Sequence, residues 1–463
     1  MDSYRNHRAW KCLGSAVVAA CGVLCARDAA ALDVPFQKYA LPNGMTVILH
    51  EDHKLPLVAV NMIYKVGSHY EEPGRTGFAH LFEHLMFMGT KRAPTKMFDA
   101  WMEAAGGWNN AWTSEDHTDY FDVAPSNTLP LLLWLEADRL SSLGREMTLA
   151  KLDAQRDVVR NERRQTTENE PYGKVELRLP ELLFPEGNPY HHSVIGSHED
   201  LQAATVDDVK SFFARWYVPG NASLVVAGDF DPVAVRSQID RAFAWIPARA
   251  VPSAPVVTPA RLDHVVRDEL QDSVQFPKVV MAWHSPNLYA SGDAELDLAS
   301  SVLNEGKSSR LFKALVYDHE LAQDVQVTQN SREAGSYFTV EAVARPNVTL
   351  PQLEAAIDAE LARLVKEPVS AEELARAKTQ YETKYVLRLE SLAERAAVLN
   401  SYQATRGDPG YAERDLQRYR DVTIASLQAA ARSTVNLGAR VILRIVPKPE
   451  AKPSDKPAAG GAK

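Results

Sequence analysis

The stretch GFAHLFEHLMFMGT, residues 77–90, sets two histidines four apart with a glutamate directly before the second. On a helix that spacing stacks His80 and His84 one turn apart on one face, with Glu83 beside them. Neutral imidazoles suit zinc, and a catalytic zinc takes three protein ligands and a water whose pKa falls to about 7. A neighbouring carboxylate can then accept that water's proton. Here the glutamate precedes the second histidine, the inverse of the commoner order, so a third ligand must come from elsewhere in the chain. The competing reading is an apolar helix that carries two histidines and holds no ion.

The surrounding sequence supplies elements able to position such a helix. Before it, FQKYALPNGMTVILHEDHKLPLVAVNMIYKVGS alternates apolar and polar residues around an Asn43-Gly44 turn, which predicts strands and a hairpin. After it, NNAWTSEDHTDYFDVAP reads as one further strand, and helical patterning runs from Leu129 to about Arg164. TVDDVKSFFARWYVPGNASLVVAGDF reads as a helix capped by Thr205, a break at Pro219-Gly220-Asn221, and a buried strand. The later sequence repeats this order in weaker form. FPKVVMAWHSPN is a strand, and SAEELARAKTQYETKYVLRLESLAERAAVL is one long helix opened by a Ser370–Glu373 capping box. TIASLQAAARSTVNLGARVILRIVPK closes the half as helix, break and strand.

The expected fold is α+β, with two homologous half-domains, each a mostly antiparallel sheet flanked by helices. The expected boundaries are a signal peptide over 1–31, an N-terminal half over 32–245, a proline-rich linker over 246–260, a C-terminal half over 261–448 and a low-complexity tail over 449–463.

The chain of 463 residues carries a formal net charge of −9, spread along its length, with no basic stripe interleaved with aromatics. Such a pattern argues against a nucleic-acid partner. The first residues combine a basic start, RNHRAWK, with an apolar run too short to span a bilayer and the small-residue exit ARDAAA. This order predicts export, with cleavage near Ala31 and a periplasmic or secreted destination. A lipoprotein box ending at Cys21 is the alternative. Cys12, Cys21 and Cys25 all fall in that segment, so the exported chain would carry no thiol, and no later apolar run is long enough to span a membrane.

HLFEH followed by MFMGT, then GGWNNAWTSEDHTDYFDV, QRDVVRNERRQTTENEPYGK and EGNPYHHSVIG, occur in an order that resembles the pitrilysin/insulinase family of inverted zinc peptidases, which includes the mitochondrial processing peptidases. The resemblance covers nearly all of the chain after the export segment. It implies one zinc per chain held by His80, His84 and Glu162, with Glu83 as general base. Glu168 and Glu170 are rivals for the third ligand. It also implies that Asn110 and Ala111, in an edge strand, pair with the main chain of a peptide substrate.

Two positions depart from the family pattern. Gln155 stands two turns before Glu162, where active members carry a second glutamate in the outer shell of the metal. Val316 and Gln323 stand where single-chain members carry an arginine and a tyrosine that grip the substrate. The resemblance therefore implies a zinc endopeptidase acting on short or unfolded peptides, as the metal-bearing subunit of a heterodimer whose related partner supplies the arginine and tyrosine. The alternative is a non-catalytic scaffold or chaperone-like subunit of the same fold. A peptidase dedicated to maturing one precursor fits the same residues.

Overall fold

The structure, a computed structural model, describes residues 34–449. The expected signal peptide, with its three cysteines, and all but the first residue of the expected tail lie outside this range.

The first half builds a six-stranded sheet from β1 (Gln37–Ala40), β2 (Thr46–Glu51), β3 (Leu57–Tyr64), β4 (Trp108–Thr113), β5 (Thr118–Pro125) and β6 (Ala222–Gly228). Their order is β1-β2-β6-β3-β5-β4, with β2 and β6 parallel and every other pair antiparallel. The helices of this half are α1 (Phe78–Leu85), α2 (Met97–Ala104), α3 (Leu129–Ser142), α4 (Leu149–Glu162), α5 (Lys174–Leu183), α6 (His198–Ala203), α7 (Val206–Trp216) and α8 (Pro232–Phe243). The second half has β7 (Val265–Asp272), β8 (Lys278–His284), β9 (Ala322–Asn330), β10 (Tyr337–Ala344) and β11 (Arg440–Pro447), in the order β7-β11-β8-β10-β9. Here too a parallel pair, β7 with β11, is followed by antiparallel neighbours. With β1 set aside as an added edge strand, the two sheets share one topology: the last strand of each half, β6 or β11, is inserted between β2 and β3 or between β7 and β8. Residues 247–263, between the sheets, carry neither helix nor strand. Among the described residues no helix is long and apolar enough to cross a membrane.

The expected hairpin forms around Asn43 and Gly44, where Gly44 takes φ 91°, a left-handed conformation that favours glycine. Thr205 and Asp208 close the capping box of α7. Two segments differ from the sequence reading. NNAWTSEDHTDYFDVAP is a hairpin rather than one strand: the Ser114 hydroxyl accepts from the backbone N–H of Asp116 and His117, turning the chain between β4 and β5. The long helix after Ser370 is two, α11 (Ala371–Arg388) and α12 (Leu392–Arg406). Ser391 starts the second as its N-cap, with Glu394 three residues on, a second capping signature inside the apolar pattern. The remaining helices are α9 (Asp293–Asn304), α10 (Leu350–Lys366), α13 (Ala412–Asp421) and α14 (Ile424–Thr434).

The break at Ser391 lets α12 leave its own half. Its Ala396 and Leu399 pack against Ile48, Ala59, Val225 and Ala227 of the first sheet. In return, Val175, Leu179 and Leu183 of α5 pack against Val280, Ala282, Val441 and Leu443 of the second sheet. Each half thus covers one face of the other's sheet. This explains why ASLVVAG of β6 is buried throughout, since both of its faces are covered. At the centre of the first exchange, buried Asn400 of α12 donates to the carbonyls of Asn61 (3.1 Å) and Ser223 (3.1 Å) and to Asn61 Oδ1 (2.5 Å), and accepts from the Ser223 hydroxyl. Replacing Asn400 by Leu leaves the Ser223 hydroxyl and Asn61 Oδ1 buried without this partner, so we expect the variant to lose about 3 kcal/mol in chemical denaturation. A loss below about 0.5 kcal/mol, the ordinary surface range, would remove Asn400 as a structural tie.

Candidate metal centre

Helix α1 carries both histidines, and its N-terminus is fixed from three sides. Gly77 precedes it at φ 84° and lies back to back with Gly196, so that a Cβ on Gly77 would come within 2.7 Å of the Ile195 carbonyl. The carboxylate of Glu71 accepts the backbone N–H of Gly77 (2.9 Å) and Ala79 (2.7 Å). Asp200 accepts from the Thr76 N–H and hydroxyl, at 3.0 and 2.6 Å. The Glu71 carboxylate is fully buried, and burial raises its pKa well above the usual range against the pull of those N–H donors. An acceptor placed at a helix start satisfies donors that the helix itself cannot.

Helix α4 packs alongside α1 and brings Glu162 to the imidazoles. His84 Nε2 lies 3.2 Å from Glu162 Oε2 and His80 Nε2 3.7 Å from Oε1, and the three ligand atoms lie within 4.8 Å of one another. A tetrahedral zinc with bonds of about 2.1 Å needs ligand atoms about 3.4 Å apart. The two imidazole–carboxylate distances bracket that value and the full spread of up to 4.8 Å exceeds it, so the donor set fits the ion in chemistry and would draw closer around it. The rivals do not converge: Glu168 pairs with Arg163 and His198, and Glu170 is exposed in the following turn.

Burial pushes His80 down to about 4, with the His84 charge adding to the shift, so its imidazole is neutral and its lone pair free. Burial also pulls on His84, but the Glu162 hydrogen bond and charge outweigh it and hold the group above the ordinary histidine value. The same hydrogen bond lowers Glu162.

Glu83 stands beside the ligand set, close enough to His84 and Glu162 to feel their charges, and the Thr113 hydroxyl donates to its Oε2 at 2.6 Å. Burial raises Glu83 and the threonine bond offsets part of that rise, which leaves a carboxylate better able to accept a proton than an exposed one. Sequence reasoning missed Thr113. Its signal was the two-residue alternation of β4, in which Asn109, Ala111 and Thr113 face the same side. Gln155 of α4 lies beside His84 and helps to raise it, and its Nε2 is 2.8 Å from Met88 Sδ.

Strand β4 is the edge of its sheet. The Ala111 N–H is held by Asn110 Oδ1 at 2.9 Å, a local bond that occupies an edge donor. Beyond β4, the 114–117 turn docks on the second half. Arg332 pairs with Glu115 at 2.5 Å, and Asp116 accepts from the Tyr190 hydroxyl (2.6 Å) and the Glu333 N–H (2.9 Å). A cleft of about 370 Å³ lies beside this contact, lined by Glu115 and Glu176 from the first half and by Lys278, Arg332 and Tyr337 from the second.

Val316 and Gln323 bring no such donor. Val316 is buried in the core of the second half, and its carbonyl accepts from Arg345 at 2.9 Å. The Gln323 amide donates to the Ala344 carbonyl at 2.8 Å.

A helix pair holding an inverted His-Glu-His set against a distal glutamate, in the first of two like α+β halves, is the arrangement of a zinc-peptidase family. Residues 46–190 match the family model described as insulinase, peptidase family M16, and residues 203–381 match the one described as the peptidase M16 inactive domain. The chain belongs to this family. It is 29% identical over 399 residues to the zinc protease PqqE of Helicobacter pylori, covering 85% of this chain and 89% of that one. An uncharacterized zinc protease of Streptomyces coelicolor is 25% identical over 420 residues, with 89% of each chain covered. The crystal structure of a protease from Helicobacter pylori superposes with a TM-score of 0.82 at 28% identity, over 89% of this chain and 99% of that one.

A carboxylate strengthens its hydrogen bond to a ligand imidazole more than an amide does, so Gln155→Glu is expected to tighten zinc about tenfold, within the range of outer-shell changes. Chelator competition at equilibrium measures this. An unchanged affinity would reduce Gln155 to helix packing.

Proposed function

We propose that the chain is a zinc-dependent endopeptidase of short or unfolded peptides, exported to the periplasm or beyond, and that it acts as the metal-bearing subunit of a heterodimer. The observation that carries this reading is the convergence of His80, His84 and Glu162 with Glu83 beside them, next to an open strand edge. The names of the zinc-protease relatives support it.

In this reading His80, His84 and Glu162 hold one zinc, which supplies Lewis-acid activation of a water and of the scissile carbonyl. Glu83, held by Thr113, receives the water's proton and returns it to the leaving amine. The free edge of β4 takes the substrate as an added strand: its carbonyls replace Asn110 Oδ1 at the Ala111 N–H, which explains tolerance of varied side chains. With Glu83→Gln we expect about one zinc per chain by metal analysis and no measurable peptide cleavage, because the amide keeps the shape but accepts no proton. Undiminished cleavage by that variant would remove the assigned base.

The partner follows from what this chain lacks. Donors aimed at a developing oxyanion are commonly worth a few kcal/mol in rate, and Val316 and Gln323 offer none to the centre. A second copy of the chain lacks the same residues. The isolated chain is therefore expected to bind zinc yet cleave poorly, and to gain at least about tenfold in kcat/KM, about 1.4 kcal/mol, with a related partner that carries the arginine and tyrosine. Full activity of a chain shown by sedimentation to be monomeric would defeat the heterodimer and leave the metal site standing. The scaffold alternative predicts no cleavage in either state.

A further inference from the structure

Outside the metal centre, a cavity of about 200 Å³ opens among α9, α11, α12 and α13 in the second half. Tyr289, Tyr381, Tyr385, Tyr402 and Tyr419 form much of its wall. Their hydroxyls are engaged with that wall. Tyr402 donates to Asp415 at 2.8 Å, Tyr419 donates to Asp297 Oδ2 at 2.7 Å, and Tyr289 pairs with Thr405 at 3.2 Å. The rings are left as the lining. Tyr289 sits at φ 64°, a left-handed conformation uncommon for a bulky residue, and its N–H donates to Asp293 at 2.9 Å.

The charges around the cavity do not balance. Arg418 is shared by two carboxylates, Asp293 at 2.8 Å and Asp415 at 2.6 Å. Arg388, exposed at the rim, is taken by Glu394 at 2.5 Å. Both cations that line the cavity, Arg418 and Arg388, have carboxylates, whereas the lining carboxylate Asp297 makes no ion pair among the described residues. Its second oxygen has no hydrogen-bond partner among the described residues. Burial, with the Asp293 charge adding to it, pushes its carboxyl up to about 7 against the Tyr419 hydrogen bond and the Arg418 charge. The aromatic wall already holds cations: the Arg418 guanidinium lies 5.2 Å from the Tyr289 ring centroid and 5.7 Å from that of Tyr419, and the Arg406 guanidinium lies 5.3 Å from the Tyr289 centroid.

We propose that this cavity binds an organic ammonium group, its alkyl part against the tyrosine rings and its nitrogen at the free oxygen of Asp297. Either a small free amine or a lysine side chain of a peptide supplies that chemistry. The occupant would also border Ser331, which donates to Asp293 at 2.5 Å and starts the turn whose Arg332 and Glu333 meet Glu115 and Asp116 beside β4.

The test is titration of the full chain with n-butylamine and with its neutral analogue n-butanol, followed by ligand-observed NMR. The amine is expected to saturate one site about tenfold more tightly than the alcohol. Asp297→Asn, whose amide oxygen can still accept from Tyr419, is expected to abolish that difference. Equal affinity for amine and alcohol, or a preference that survives Asp297→Asn, overturns the proposal. Should Asp297→Asn not fold, Ser401→Leu fills the cavity from α12, and amine binding that persists in it also overturns the proposal. A short lysine peptide that competes with butylamine, while its norleucine analogue does not, assigns the site to peptides. Binding of butylamine without that competition assigns it to small amines.

Discussion

The metal centre depends on one buried carboxyl group, that of Glu71. Two imidazoles can share an ion with a glutamate from a distant helix only if the short helix carrying them does not rotate or slide. An eight-residue helix has little stability of its own, because four of its N–H groups have no partner within it. Glu71 supplies two of the missing acceptors from a position without solvent, where the bonds are strong and the alternative partners are absent. Gly77 and Gly196 let the loop before α6 lie directly on the helix start, so the EGNPYHHSVIG segment, distant along the chain, secures that helix in space.

The exchanged helices set the next level of constraint. Because α12 covers the first sheet and α5 covers the second, neither sheet can bury both faces without the opposite half. The link between them is therefore more than residues 247–263. It runs through two apolar contacts and the Asn400–Asn61–Ser223 cluster, where any slip would strand buried amides. This fixes where β9 and β10 stand relative to β4.

Much of this was legible in the sequence, and the parts that were not share a cause. The His80, Glu83 and His84 grouping and the N-caps at Thr205 and Ser370 are local patterns, set by helical spacing and by side chains bonding their own backbone. Glu162 was reachable only through resemblance, since nothing in its own surroundings separates it from Glu168 or Glu170 until α4 lies against α1. The helix break was written in Ser391 and Glu394, but the apolar pattern runs through it, and only the need to cross to the other sheet makes it informative. The β4–β5 turn was hidden in the same way, because Ser114 and Asp116 look like polar strand positions until the chain reverses at them. β7, β9 and β10 were not read as strands at all, since charged and polar residues alternate through β7 and β9, which border the second sheet.

The β4 strand joins three tasks that are usually separate. Thr113, at its end, orients the carboxylate of Glu83. Ala111, two residues earlier, offers an edge N–H that only a neighbouring side chain occupies. Glu115 and Asp116, immediately after, tie the strand to the second half through Arg332 and the Glu333 N–H. These groups lie along one stiff hairpin, so a displacement at any of them is felt at the others. For a peptide paired along β4, strand addition would press on the same backbone that aims Glu83 and holds the halves together. Its binding energy would come from main-chain hydrogen bonds common to every peptide, made on the strand that also carries Thr113.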